Sequence, residues 1–354
     1  MKKRILIVCI LTIVILFLTS CSNNTEKNNI LVLKVKSTGQ IYLYGERHGI
    51  KKILDKEIEL WDKYYNNQGM RHLFIEVPYY TAKLLNIWMK SDSDDIFNSI
   101  YHDWEGTDGH NPDFKEFFKK IKRNYPKTIF HGTDVGHQYE TTGKRFLKYL
   151  KDNKLNDSKQ YFLTKKAIAQ GKYYYSHSDE VYRENMMVKN FIYEFENLNG
   201  KNIMGIYGAS HTGIDMLDVT RAVPCMANQL KKYYSNNIHS KDLSKEPEPE
   251  RVDKIKVGGK IYKASYFGKW DLPEFKEFKY REFWRLEDAY NDFIDNPKTQ
   301  SVLPYNDYPM LIKIGQIFVV DYTKIDGSVM RCYYRSDGYK WHNMLSTNEF
   351  IVKK

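Results

Sequence analysis

Cysteine is scarce in this chain of 354 residues: there are four, and two of them, Cys9 and Cys21, fall near the start. Cys225 and Cys332 lie far apart in sequence. Two scattered thiols give neither a disulfide framework nor a zinc spacing, so the folded part must rest on its hydrophobic core. Ile5–Leu18 is an apolar run of 14 residues, too short for a comfortable membrane span. No internal repeat is visible. There is also no single basic block, although the formal charge is +11. Residues 1–20 carry Lys2, Lys3 and Arg4 and no acid, so without them the charge is +8. That excess is spread along Lys-rich helix faces, which fits a solvated surface and argues against a nucleic-acid partner.

What is present begins with an export signal. MKKR is a basic start, the apolar run follows, and it ends in Leu18-Thr19-Ser20-Cys21. This pattern resembles the bacterial lipoprotein signal, in which the Cys21 thiol is acylated and becomes the new first residue. The expectation is a signal peptide over residues 1–20 and a lipid-anchored protein on the extracytoplasmic face of the cell membrane. Residues 21–29 read as a polar tether.

From residue 30 to 245 strand and helix patterns alternate. Candidate strands are Leu31–Val35, Ile41–Tyr44, His72–Val77, Thr128–Gly132 and Asn202–Tyr207, with a weaker one at Asn237–Ser240. Candidate helices are Lys51–Asn67, Thr81–Met89, Asp113–Arg123, Thr141–Lys151, Lys159–Gln170, Asp179–Asn197 and Pro224–Tyr234. The spacing predicts an α/β fold: a mostly parallel sheet with helices on both faces. KEPEPE at Lys245–Glu250 reads as a charged linker. Residues 251–354 read as a small, aromatic-rich α+β unit with strands at Lys256–Tyr266, Met310–Tyr322, Val329–Tyr334 and Trp341–Ile351. A helix is expected at Arg281–Ile294, and Asp-Gly turns at 326–327 and 337–338 suggest hairpins. This tail shows no catalytic constellation.

The chain is organised around IYLYGERHG at Ile41–Gly49. A short buried strand ends in a glycine turn carrying Glu46, Arg47 and His48, and a helix follows with Ile50, Ile53, Leu54, Ile58 and Trp61 on one stripe. The other chemistry-bearing residues also sit where strands end. Glu76 closes HLFIE, Asp134 closes TIFHGTD, and His211 follows IMGIYGAS. Parallel strands would bring all five groups to one sheet edge, where ligands bind in such folds. Unpaired buried carboxylates are costly, so two histidines and three carboxylates converging there would satisfy one another. Together they form an acid–base site or a metal site.

The order GERH, IEVP, HGTD, YGASH resembles the superfamily that joins erythromycin esterases, the haem-uptake lipoprotein ChaN and the Tiki-type metalloproteases. The resemblance covers about residues 30–240. It implies an α/β fold with Gly45–His48 as the first motif, Gly208–His211 as the second and Glu76 as the carboxylate between them. The first motif has one residue between Glu and His, where the esterases typically have two, which leans away from macrolide hydrolysis. Arg183-Glu184, Met187 and Asn190 resemble an Arg-acid pair of the esterase branch, and an Arg there would hold a substrate anion or orient Glu46.

Two functions follow as expectations. One is a hydrolase of a small-molecule or peptide substrate. In it His48 acts as general base, or with His211, Glu46 and Glu76 holds Mn, Co or Zn, while Arg183, Asp134 and Glu184 contact substrate. The other is a lipoprotein that captures haem or another ligand, with Tyr173–Tyr175 among the candidate iron ligands.

Overall fold

The computed structural model describes residues 38–352 apart from 246–247, 273–274 and 342–343. The signal, the tether, Cys21 and the expected strand Leu31–Val35 lie outside the described residues.

Five strands form the first sheet: β1 (Ile41–Glu46), β2 (His72–Pro78), β3 (Ile129–Asp134), β4 (Ile203–Gly208) and β5 (Ile238–Asp242). All pairings are parallel, in the order β3-β2-β4-β1-β5. From β1 the chain moves outward to β2 and β3 through α1 (Lys51–Asp62), α2 (Tyr79–Trp88), α3 (Asp95–Asp103) and α4 (Pro112–Asn124). It returns to β4 through α5 (Lys144–Asp152), α6 (Lys159–His177) and α7 (Glu180–Glu196), and reaches β5 through α8 (Ala209–Thr212) and α9 (Met226–Tyr234). Right-handed crossovers that run in opposite directions place their helices on opposite faces. Two apolar cores result. Trp61, Trp88 and Phe118 pack with Leu73 and Ile75 on one side. Phe191, Met226 and Leu230 pack with Ile41, Leu43 and Phe74 on the other. The direction of travel reverses beside β4, so a crevice opens at the carboxyl ends of β1, β2 and β4.

The local chemistry explains the elements that frame this crevice. Ile53, Leu54, Ile58 and Trp61 are the buried stripe of α1. Asn111 caps α4, its side chain accepting from the N–H groups of Asp113 (2.8 Å) and Phe114 (3.3 Å), with Pro112 at the first helical position. Asp179 caps α7 in the same way through Tyr182 N–H, at 2.8 Å.

The C-terminal part is a separate sheet region, built almost wholly of antiparallel strands. Its strands are β6 (Arg251–Val257), β7 (Lys260–Asp271), β8 (Phe278–Leu286), β9 (Lys298–Pro304), β10 (Gln316–Lys324), β11 (Val329–Ser336), β12 (Lys340–Trp341) and β13 (Met344–Phe350), with one short helix, α10 (Tyr290–Phe293). The helix expected over Arg281–Ile294 is strand β8 as far as Leu286, and of the rest only Tyr290–Phe293 is helical. FKYREFWRL carries aromatics that suit a pleated surface, and β8 is flanked by β7 and β10 on its two sides. The single strand expected over Lys256–Tyr266 is a hairpin that turns at Gly258–Gly259, both at positive φ. Asp326-Gly327 does join a hairpin, β10 to β11. Asp337-Gly338 instead leads to β12, which pairs with β13.

Candidate functional site

Register decides which side chains meet. Glu46 lies level with Gly208 across β1 and β4, and Ile75 level with Ile206 across β2 and β4. The loops after these strands therefore share one edge, and Asp134, opposite Pro78 on β3, joins them. Gly45 is required by close approach: a Cβ there would collide with the Thr212 hydroxyl of α8.

Glu76 is the hub. One oxygen accepts from the Gly208 N–H at 2.6 Å, and the other from Arg183 at 2.7 Å. His211 Nε2 lies 3.5 Å and His48 Nε2 4.0 Å from the same carboxylate. Burial alone would raise this carboxyl. The charges of His211, His48 and Arg183, with the hydrogen bond from His211, hold it well below the usual range. His211 is fixed from behind, its Nδ1 meeting Glu184 at 2.6 Å, while Glu184 also accepts from the Met226 N–H. Burial pulls the His211 pKa down, but Glu76 and Glu184 lift it to about 10.

His48 makes the second relay. Its Nδ1 meets Glu46 at 2.9 Å, and its ring is about a third exposed to the crevice. Burial lowers its pKa, its hydrogen bond to Glu46 and the charges of Glu76 and Glu46 raise it more, and it settles at about 9. Behind Glu46 stands Glu57 of α1, fully buried. Among the described residues no donor reaches either oxygen of Glu57 or Oε2 of Glu46. Two carboxyls placed so are satisfied only by a proton that one lends the other. Burial first, then the charge of Glu46, pushes Glu57 well above the carboxylate range, so Glu57 is the protonated partner.

Arg183 bridges two strands. It donates Nε to one oxygen of Asp134 at 3.1 Å and its terminal nitrogen to the other at 2.6 Å, besides its bond to Glu76. Burial raises Asp134, yet Arg183 and His137 together hold it far below the usual value. His137 Nε2 lies 2.8 Å from Asp134, and its Nδ1 meets the Tyr175 hydroxyl.

These groups floor a cavity of about 300 Å³. Its wall is aromatic, made by Trp104, Phe114, Phe117 and Phe118 from the segment between β2 and β3. Of the residues expected at the site, Glu46, His48, Glu76, Asp134 and Arg183 line it. Three roles change. His211 and Glu184 are buried behind Glu76 and position it. Asp134, expected to contact substrate, lies at the floor, 1% exposed, and is held by Arg183 and His137. Arg183 ties Glu76 to Asp134 and leaves Glu46 to His48. His131 of the HGTD motif bonds Glu194 and His72 elsewhere.

Sequence reasoning missed Glu57, His137 and the aromatic wall. Glu57 was detectable, because it falls in helical register with Ile53, Leu54 and Trp61 on an apolar stripe. His137 stands three residues after Asp134, a spacing that a loop can fold onto its own carboxylate.

The donor set does not fit a shared metal ion. Among the described residues no three His, Cys, Asp or Glu side chains are arranged to hold one. The proposed ligand Glu76 already has both oxygens engaged by Arg183 and Gly208, and the guanidinium supplies the cation. The tyrosines considered for haem are engaged as well: Tyr174 bonds Glu180 at 2.6 Å, Tyr175 bonds His137, and Tyr173 stacks on His177.

No family model and no curated protein matches the chain. Solved structures similar to it include a succinoglycan biosynthesis protein, 14% identical with TM-score 0.44, covering 64% of this chain and 70% of that one. Another is an erythromycin esterase EreC mutant in its open conformation, 9% identical with TM-score 0.39, covering 61% and 72%. A third is ChaN of Campylobacter jejuni with cofacial haem, 13% identical with TM-score 0.35, covering 61% and 84%.

Proposed function

We propose that this chain is a hydrolase of small molecules, with His48 as the group that moves the proton. One observation carries the reading. His48 is held at Nδ1 by Glu46, which is backed by the buried Glu57, and it turns Nε2 toward an aromatic-walled cavity. A base oriented by a carboxylate and facing a pocket is what attack of water on an ester or amide carbonyl needs. Nε2 takes a proton from the water as its oxygen bonds to the carbonyl carbon. The same proton then goes to the leaving oxygen or nitrogen as that bond breaks. Arg183 lines the floor with its charge taken up by Glu76 and Asp134, so it holds the carboxylates in place beneath the substrate. A pKa of about 9 keeps His48 mostly protonated at neutral pH, so the base form grows with pH. The size of the cavity favours a small molecule over a peptide chain.

The anchor belongs to the same reading. Acylation of Cys21, followed by a polar tether, would hold the enzyme at the outer face of the membrane.

The test uses the mature chain and a panel of chromogenic esters and amides with apolar acyl groups. Hydrolysis that falls at least a hundredfold in His48→Gln supports the reading. Hydrolysis at the wild-type rate in that variant overturns it. No hydrolysis, with a Soret band on haem addition that shifts in His48→Gln, would give the capture protein instead.

A further inference from the structure

The loop after β1 faces two ways. His48 lines both the aromatic cavity and a second chamber of about 610 Å³ between this edge and the antiparallel sheet, while Arg47 lines only the second. Glu46, His48 and Asp108 line both.

Three cations gather around one indole there. The Arg47 guanidinium stacks 3.9 Å from the Trp270 ring, with Arg281 at 5.5 Å and the Lys245 ammonium at 5.9 Å from the same ring. Lys245 and Arg281 are each only 6% exposed. Lys245 donates to the carbonyls of Tyr308 (2.7 Å) and Tyr305 (3.3 Å), and among the described residues it makes no ion pair. Arg281 bonds Asp307 at 3.0 Å through a terminal nitrogen, but its buried Nε has no partner.

Among the described residues Asp307 pairs with Arg281, while Lys245 and Arg47 have no carboxylate in ion-pair contact. Asp307 is half exposed and Asp271 mostly exposed, and Asp108 stands at the solvent side. Burial, then repulsion from Arg281, depresses Arg47 despite Asp108 and Asp271. Burial likewise brings Lys245 down to about 8, with Asp242 and Asp307 opposing and Arg47 and Arg281 adding to the fall. Buried cations packed together without matching anions are unfavourable, and a cluster of them beside a reacting group answers an anionic ligand.

We propose that this chamber is an anion subsite: it takes a carboxylate or phosphate group of a small molecule whose other end lies at His48. The inference rests on the hydrolase reading only for what happens at that other end. It gives the antiparallel sheet a role, since Trp270 and Arg281 come from β7 and β8, and Asn306 and Asp307 from the turn after β9.

Calorimetric titration of the mature chain with inorganic phosphate, and separately with acetate, tests it at constant ionic strength set by chloride. Saturable binding of at least one probe is expected, weakened tenfold or more in Arg47→Gln and in Lys245→Met. Arg47 sits in a half-exposed loop, so Arg47→Gln keeps the test sound if the buried-lysine variant does not fold. The probe that binds more tightly identifies the group. A wild-type protein that hydrolyses none of the esters or amides but binds phosphate, with that binding weakened in Arg47→Gln, would remove the hydrolase reading and leave the subsite standing. Neither probe binding above chloride, or equal binding in Arg47→Gln, overturns the proposal.

Discussion

Replacing Arg183 by Met should expose how the site is held. The guanidinium makes three hydrogen bonds to two carboxylates, and the three side chains are 15%, 10% and 1% exposed, so solvent screens them little. Removing one partner of a buried ion pair typically costs about 3–5 kcal/mol. His137 stays 2.8 Å from Asp134 and His211 stays 3.5 Å from Glu76, which argues for the lower end. About 3 kcal/mol corresponds to a fall in Tm of roughly 4 °C for a chain of this length, from an unfolding entropy of about 2 cal/mol/K per residue. The pH dependence is the sharper readout. In the wild type both carboxyls sit below their ordinary values, so their contribution is present at neutral pH and lost only as pH falls through those depressed values. Without the guanidinium, burial pushes them upward, and protonation on acidification relieves the variant. Thermal unfolding followed by far-UV circular dichroism should therefore show a large gap between the proteins at pH 8 that narrows by pH 5. A gap of the same size at both pH values, or none at all, would refute the argument.

Other outcomes follow from the same geometry. His48→Gln should lower turnover by about 10²–10⁴-fold, the usual worth of a positioned acid–base group. In the wild type kcat/KM should rise with pH and level above about 9, because the base form of His48 is the one with a free Nε2; a flat profile would contradict this. Infrared spectroscopy at pH 7.5 should detect a protonated-carboxyl C=O stretch that disappears in Glu57→Gln; its absence from the wild type would remove the shared proton. Gly171→Ala should destabilise by about 1–3 kcal/mol through overpacking, read as Tm, since its Cβ would strike the backbone of Gly136 beside His137. Cys21→Ala should abolish lipid labelling of the expressed protein.

The placement of the site at strand ends was legible because apolar runs stop at Gly45, Glu76, Asp134 and Gly208, and parallel strands bring such stops together. The aromatic wall was not. Phe114, Phe117 and Phe118 lie on α4, a helix the spacing predicts, but nothing local shows that they face the strand ends, and Trp104 follows α3, which has only Phe97 and Ile100 buried and so a short stripe. The C-terminal helix expected at Arg281–Ile294 failed for a different reason. Its apolar residues fit both periods, and long-range pairing with β7 and β10 decided between them.

The sequence by itself determined the alternation of strand and helix and the list of charged groups at the strand ends, because both depend on local spacing. Only the tertiary structure decided what each group does. It set His48 on both chambers and Arg47 on the second alone, although they are neighbours in the chain. It set Glu57 against Glu46, Arg183 between Glu76 and Asp134, and Lys245 of the expected linker under the antiparallel sheet. Those pairings join residues up to 107 positions apart, as Arg183 and Glu76 are, and their energies depend on burial and on charges from several elements at once. Neither quantity can be read along a chain until the fold has brought the partners together.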